Sequence, residues 1–246
     1  MQIPFEPVIF GVNVNVHLIL EYLAFFIAFR YYVFLRKRVT DVITSNNRLS
    51  IILGATVGAL IGSRIVGVLE NPLLIPGYSW IELLNTKTIM GGLFGGLLGV
   101  ELAKKIIGEK SSSGDLFTYP IILGIFIGRI GCFLSGINEF TYGNVTTFYT
   151  GMDLGDELLR HPTSLYELFF LAILFVVLRS LNKSNRLPYG MTFQWFMIFY
   201  FSFRFTIEFF KPNEYLFLGF STIQYLCILC VVYYNRTIIK AIKNAY

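Results

Sequence analysis

The chain has 246 residues, 55% of them hydrophobic and only 14% charged, with a mean hydropathy of +0.64; soluble globular domains carry about 25% charged residues, so that class is excluded. A net charge of +5 and a pI near 9.0 read as cytoplasmic loops facing anionic lipid rather than as a nucleic-acid surface. Cys132, Cys227 and Cys230 all fall in apolar runs and give no disulfide framework.

In chain order, the N-terminal MQIPFEPVIF is acidic rather than a positive leader, so the first apolar run is expected to stay as a span. Apolar runs follow at 16–35, 50–69, 88–107, 115–135, 163–181, 189–210 and 219–235. A spanning helix uses roughly 20 residues, so about seven spans take up the chain and leave no soluble domain. The expectation is an all-α membrane protein, one polytopic domain over residues 1–246.

Connections decide orientation, because short cytoplasmic loops collect Lys and Arg. Arg30, Arg36, Lys37, Arg38 and Arg48 follow the first run, and Lys104, Lys105 and Lys110 the third. Arg179, Lys183 and Arg186 follow the fifth, and Arg236, Lys240 and Lys243 the seventh, against only Lys87, Arg160 and Lys211 on the opposite side. The N-terminus is therefore expected outside and the C-terminus in the cytoplasm. SSSGD at 111–115 reads as an inner turn in which Asp115 caps the fourth helix, and LNKSNRLPYG at 181–190 as a basic inner loop. The stretch from about 136 to 161, with Glu139, Asp153, Asp156 and Glu157 among aromatics, reads as one longer outer loop, a lid or a small head region.

Three arginines remain inside runs: Arg64, Arg129 and Arg204. Each lies a few residues before the outer end of an outward-running helix, within roughly 10 Å of the hydrocarbon boundary. Glu21, Glu167 and Glu208 fall in the same outer half, and Arg204 and Glu208, four apart, share a helix face. Charges retained at one level on several helices imply a wet cavity or mutual pairing, each costing at least about 2.5–3.5 kcal/mol at the bilayer centre if unsupported. Guanidinium groups bind phosphate bidentately, so a phospholipid head group is the expected anion. Glu208, Glu139, Tyr200, Tyr166, His17 and His161 could supply acid, base or hydrogen-bonding functions. Gly54, Gly58 and Gly62, and Gly95, Gly96 and Gly99, read as packing positions, while Gly91 and Gly92 could offer bare backbone to a head group. No metal-ligand spacing and no nucleotide loop is present, and no cofactor is expected.

Several segments, in order, carry a resemblance. GRIGCFLSGINEFTYG at 128–143 is similar to the arginine-centred signature of the prolipoprotein diacylglyceryl transferases, and TIMGGLFGGLLGVELAKK at 88–105 resembles their glycine-rich segment. GSRIVGVLE at 62–70, RHPTSLYE at 160–167, YFSFRFTIEFFKPNE at 200–214 and, more weakly, LGFSTIQ at 218–224 resemble further family segments. The resemblance implies a multi-pass enzyme of the bacterial inner membrane. It would move the diacylglyceryl group of phosphatidylglycerol to the lipobox cysteine of a prolipoprotein signal-peptide region, releasing glycerol phosphate. By position it implies catalytic roles for Arg129, Arg204, Glu208 and Tyr200. Arg129, Arg64, Glu139, Gly143, Gly91, Gly92, Tyr166, Glu167 and His161 are then the candidates for substrate binding. Two positions depart from the pattern: Met90 stands where the best-known members have a histidine, and Cys132 where asparagine is usual. A paralogous transferase with another acceptor, a non-catalytic lipid-binding protein and an anion transporter remain as alternatives.

Overall fold

A computed structural model describes residues 3–39, 41–70, 79, 83, 86–184 and 186–245. Asn185, inside the expected basic loop, lies outside the described residues. Eight helices are described: α1 (Val16–Arg36), α2 (Ser45–Glu70), α3 (Ile89–Ile107), α4 (Asp115–Ser135), α5 (Thr163–Lys183), α6 (Met191–Ile207), α7 (Thr222–Tyr233) and α8 (Asn235–Ala245). Two short antiparallel hairpins accompany them, β1 (Val8–Ile9) with β2 (Val12–Asn13) and β3 (Met152–Asp153) with β4 (Leu159–Arg160). Each of the seven apolar runs coincides with one helix, and α8 is additional. Among the described residues four helices are long and apolar enough to cross a membrane, or up to five if α7 and the start of α8, bent by 56°, count as one span.

Local chemistry sets the helix ends. Asn15 accepts the Leu18 N–H at 2.8 Å and starts α1. Thr88 accepts the Gly91 N–H at 3.1 Å and starts α3, which ends where Gly108 takes the left-handed conformation at φ +70°. Ser221 and Gln224 form a reciprocal capping box at α7. Asp115 sits in the first turn of α4, yet its carboxylate accepts the N–H groups of Gly190 (2.6 Å) and Phe193 (3.1 Å), so it anchors the start of α6 instead of capping its own helix.

The chain forms two compact units. The first comprises Met1–Thr40, Gly114–Phe196 and Phe209–Pro212. In it α4 packs against α1 and α5. The Tyr32 and Phe117 rings stack at 4.7 Å, and Asn182 donates to the Tyr119 hydroxyl at 2.7 Å. The 136–161 segment is built onto the end of α4: the Ile137 N–H donates to the Leu154 carbonyl at 3.1 Å, and Phe5 to the Leu134 carbonyl at 2.8 Å. Within that segment Asp156 and Arg160 pair at 2.6 Å; the pair holds the carboxyl below its ordinary range and raises the guanidinium.

The second unit comprises Asp41–Ser113, Met197–Glu208 and Asn213–Tyr246. Its centre is α2 against α3, brought together by facing glycines. A Cβ on Gly54 would lie 2.6 Å from the Gly99 carbonyl oxygen, and one on Gly62 2.8 Å from the Gly95 Cα, distances real side chains do not tolerate. Ser63 locks the Thr88 end of this pair, donating to the Thr88 carbonyl (2.9 Å) and accepting its N–H (3.0 Å). Arg48, which the charge pattern places among loop cations, is fully buried. It grips Asp41 through Nε (2.9 Å) and Nη2 (2.5 Å) and donates to the Ser113 carbonyl. The pairing, not a lipid surface, accounts for this arginine. Beside it, Glu109 accepts from Ser111 and Asn47, which lowers its carboxyl to about 2.

Candidate active site

Apart from the Arg48–Asp41 pair, each unit holds a cluster of buried charge built on a candidate arginine. In the first, the signature segment supplies Arg129 from the last turns of α4, 6% exposed. Its Nε lies 2.8 Å from the Glu167 carboxylate of α5, itself 1% exposed. One turn on, Cys132 places its sulfur 3.6 Å from Arg129 Nη1 and 3.6 Å from His17 Nε2 of α1. The other nitrogen of that ring, Nδ1, lies 3.0 Å from Glu139 Oε1. Gly131 permits the approach: a Cβ there would stand 3.0 Å from the His17 ring. Five groups from three helices and one loop thus form a continuous line, Glu167, Arg129, Cys132, His17, Glu139.

The other first-unit candidates gather around His161. Its Nδ1 lies 3.1 Å from the Tyr166 hydroxyl, which also meets the Thr150 hydroxyl at 2.5 Å. Burial pushes the His161 imidazole below its ordinary value and keeps it neutral near pH 7. Gly143 donates to the His161 carbonyl at 2.9 Å, and a Cβ there would stand 2.6 Å from that oxygen, so only glycine fits. Cys132 also lines a hollow of about the size of a water molecule, with Thr141, Thr163 and Ser164 on its wall.

In the second unit Arg204 (4% exposed) and Glu208 (fully buried) pair within one helical turn, as their spacing of four predicts. Asn213 donates to the second Glu208 oxygen at 2.6 Å and to its backbone carbonyl at 3.0 Å, so both carboxylate oxygens are occupied. Tyr200, four residues before Arg204, is fully buried. Arg64 donates to the Thr86 carbonyl at 2.7 Å. Gly91 is buried against Gly62 and Val66, and the N–H groups of Gly91 and Gly92 are both taken up by Thr88 at the start of α3. Met90 is buried at 1% exposure.

Asn213 was missed in the sequence, and His17 and Cys132, singled out separately as a possible acid or base and as a departure from the signature, were not linked to each other. These two are 115 positions apart, and no local spacing links them; for Asn213 its place five residues after Glu208 was the only signal available.

Known proteins similar to the chain show its family. The family model of prolipoprotein diacylglyceryl transferase matches residues 7–239. The chain belongs to the prolipoprotein diacylglyceryl transferase family. It is 34% identical to the phosphatidylglycerol–prolipoprotein diacylglyceryl transferase of Wolbachia pipientis subsp. Culex pipiens, over 85% of this chain and 83% of the relative. The enzymes of that name from Chlorobaculum tepidum and Rickettsia felis are 33% and 32% identical, covering 71% and 70% of this chain and 67% and 69% of the relatives. Membership makes the chain a diacylglyceryl transferase, an enzyme of lipoprotein biosynthesis with apolar membrane helices. The matched region of the diacylglyceryl transferase family contains the Arg129 and Arg204 clusters.

Proposed function

We propose that the chain transfers the diacylglyceryl group of phosphatidylglycerol to the thiol of a lipobox cysteine in a prolipoprotein signal-peptide region. The carbon–oxygen bond to phosphate breaks, a carbon–sulfur bond forms, and glycerol phosphate leaves. The reading carries with it a location in the bacterial inner membrane, seven crossings, the N-terminus outside and chemistry at the outer face.

The observation that carries the reading is Arg129, buried in the family signature and held at its Nε by Glu167 at 2.8 Å. A guanidinium oriented in advance needs no reorganisation when charge grows on the departing phosphate, and such groups contribute most in a dry site. Arg204 takes an equivalent task in its own unit, aimed by Glu208, with Asn213 fixing Glu208 in turn. Arg64 and Tyr200 belong to the lipid-binding surroundings of that unit. In the first unit Glu167, Tyr166, His161 and Gly143 shape the substrate side: Glu167 holds Arg129, Gly143 and His161 fix the loop, and Tyr166 ties that loop to α5.

Proteoliposomes containing phosphatidylglycerol, the full chain and a lipobox peptide test this. Release of glycerol phosphate together with a diacylglyceryl thioether is expected. Arg129→Ala and Arg204→Ala should each lower the rate by about 100-fold or more, the loss typical of removing one preorganised charge stabiliser. Turnover unaffected by either substitution contradicts the assigned roles.

A further inference from the structure

The line of groups in the first unit contains more than an anion site needs. A sulfur is held between two nitrogens, Arg129 Nη1 and His17 Nε2, each at 3.6 Å. A carboxylate stands behind the imidazole at 3.0 Å. With Nδ1–H directed at Glu139, Nε2 of neutral His17 is the nitrogen that can take a proton from the sulfur, and the guanidinium on the far side favours the thiolate. Cys132 also lines the hollow between α4 and the loop, and Glu139, with 38% of its side chain exposed, opens the line to solvent.

We propose that Cys132 and His17 form the proton-accepting pair that converts the acceptor thiol to its thiolate. This rests on the transfer reaction proposed above. At rest the pair shares one proton between Sγ and Nε2. The acceptor thiol passes its proton to the Cys132 sulfur, so that the pair holds two while the acceptor thiolate attacks the glyceryl carbon. The carbon–oxygen bond breaks, the departing glycerol phosphate gains one negative charge, and the extra proton leaves with it. No covalent bond to Cys132 is made, and no outside reactant is required. Cys132 and His17 are catalytic in this scheme; Glu139 is a positioning residue acting through the imidazole. The charged groups facing the pair are Arg129 from α4, Glu167 from α5 and Glu139 from the loop.

The test uses the full chain in nanodiscs of phosphatidylglycerol and phosphatidylethanolamine, with a lipobox peptide as acceptor. Cys132→Ala, Cys132→Ser and His17→Gln are assayed for thioether formation at pH 7 and pH 9.5. At pH 7 each variant should be slower by about 100-fold or more, the usual contribution of a positioned base. At pH 9.5 the gap should close to within about threefold, because a free thiol with pKa of about 8.5 ionises without help. An equal deficit at both pH values, or wild-type rates at pH 7, overturns the proposal. A second readout needs no turnover: in the folded wild type, iodoacetamide should modify Cys132 faster than Cys227 or Cys230, and His17→Gln should slow that labelling at least tenfold. Labelling of Cys132 indifferent to His17→Gln overturns the pair. If the wild type makes no thioether from any lipobox peptide while this labelling pattern holds, it is the transfer reaction that fails and not the pairing.

Discussion

Removing the Glu167 carboxylate leaves Arg129 without the ion-pair partner that orients it, in a place only 6% exposed. Breaking a buried pair from one side costs about 3–5 kcal/mol, whereas replacing both members by apolar groups is often close to neutral. Glu167→Ala is therefore expected to lower the thermal midpoint of the solubilised protein markedly, and Arg129→Met with Glu167→Leu to recover most of it while remaining inactive. That outcome, read by unfolding and by thioether formation on the same samples, separates the fold contribution of the pair from its catalytic one. His161 gives a pH-dependent prediction. Its folded pKa lies below the ordinary value of about 6.5, so the neutral imidazole favours the folded state. The contribution is complete above pH 6.5 and is lost as the pH falls through the depressed value; unfolding midpoints between pH 7.5 and 5 should decline more steeply for the wild type than for His161→Gln. Residues of this kind differed in how legible they were. Arg204 and Glu208 could be paired from a spacing of four, since helix geometry alone puts them on one face. Cys132 and His17 could not, because their contact depends on how α1 lies on α4. Arg48 was misplaced for a related reason: charge counting cannot tell a loop cation from one that Asp41 and a carbonyl hold inside.

The helices themselves follow from composition with little ambiguity, because an element apolar on all sides has only lipid or protein to face. Their starts and ends were less legible, and Asp115 illustrates why. An acidic residue in a first turn reads as a local cap, yet the groups it satisfies lie 75 and 78 positions away at Gly190 and Phe193. The glycine ladder was legible as packing, and its individual members now separate. At Gly95 an added methyl meets the carbonyl of Gly58 and the Cα of Gly62; at Gly92 its nearest neighbour is the Ser63 Cβ at 3.7 Å. Gly95→Ala should thus destabilise by about 1–3 kcal/mol through overpacking. Gly92→Ala should be neutral or stabilise by up to about 1 kcal/mol, the ordinary helix-propensity gain. Chemical unfolding of the two variants in detergent checks the contrast, and similar losses at both positions would contradict the assigned packing. The last helix, α8, is not among the expected seven, because its cations read only as a connection; it alternates Arg236, Lys240 and Lys243 with Ile238, Ile239 and Ile242, the pattern of a helix lying along a lipid surface.

At the scale of the whole molecule, family membership and apolar helices establish a membrane diacylglyceryl transferase, and the proposed orientation puts the 136–161 loop outside. A membrane-impermeant maleimide applied to intact cells should label Tyr149→Cys, at an 87% exposed position, while Lys110→Cys should react only after lysis; the reverse pattern contradicts the orientation. The central claim is that Arg129 and Arg204 serve transfer of the diacylglyceryl group from phosphatidylglycerol to a thiol. The most direct measurement follows glycerol phosphate and thioether in equal amounts from phosphatidylglycerol and a lipobox peptide, for the wild type, Arg129→Ala and Arg204→Ala. Stoichiometric products from the wild type and a fall of about 100-fold or more in each variant are predicted; products that persist at the wild-type rate in both variants would contradict the account.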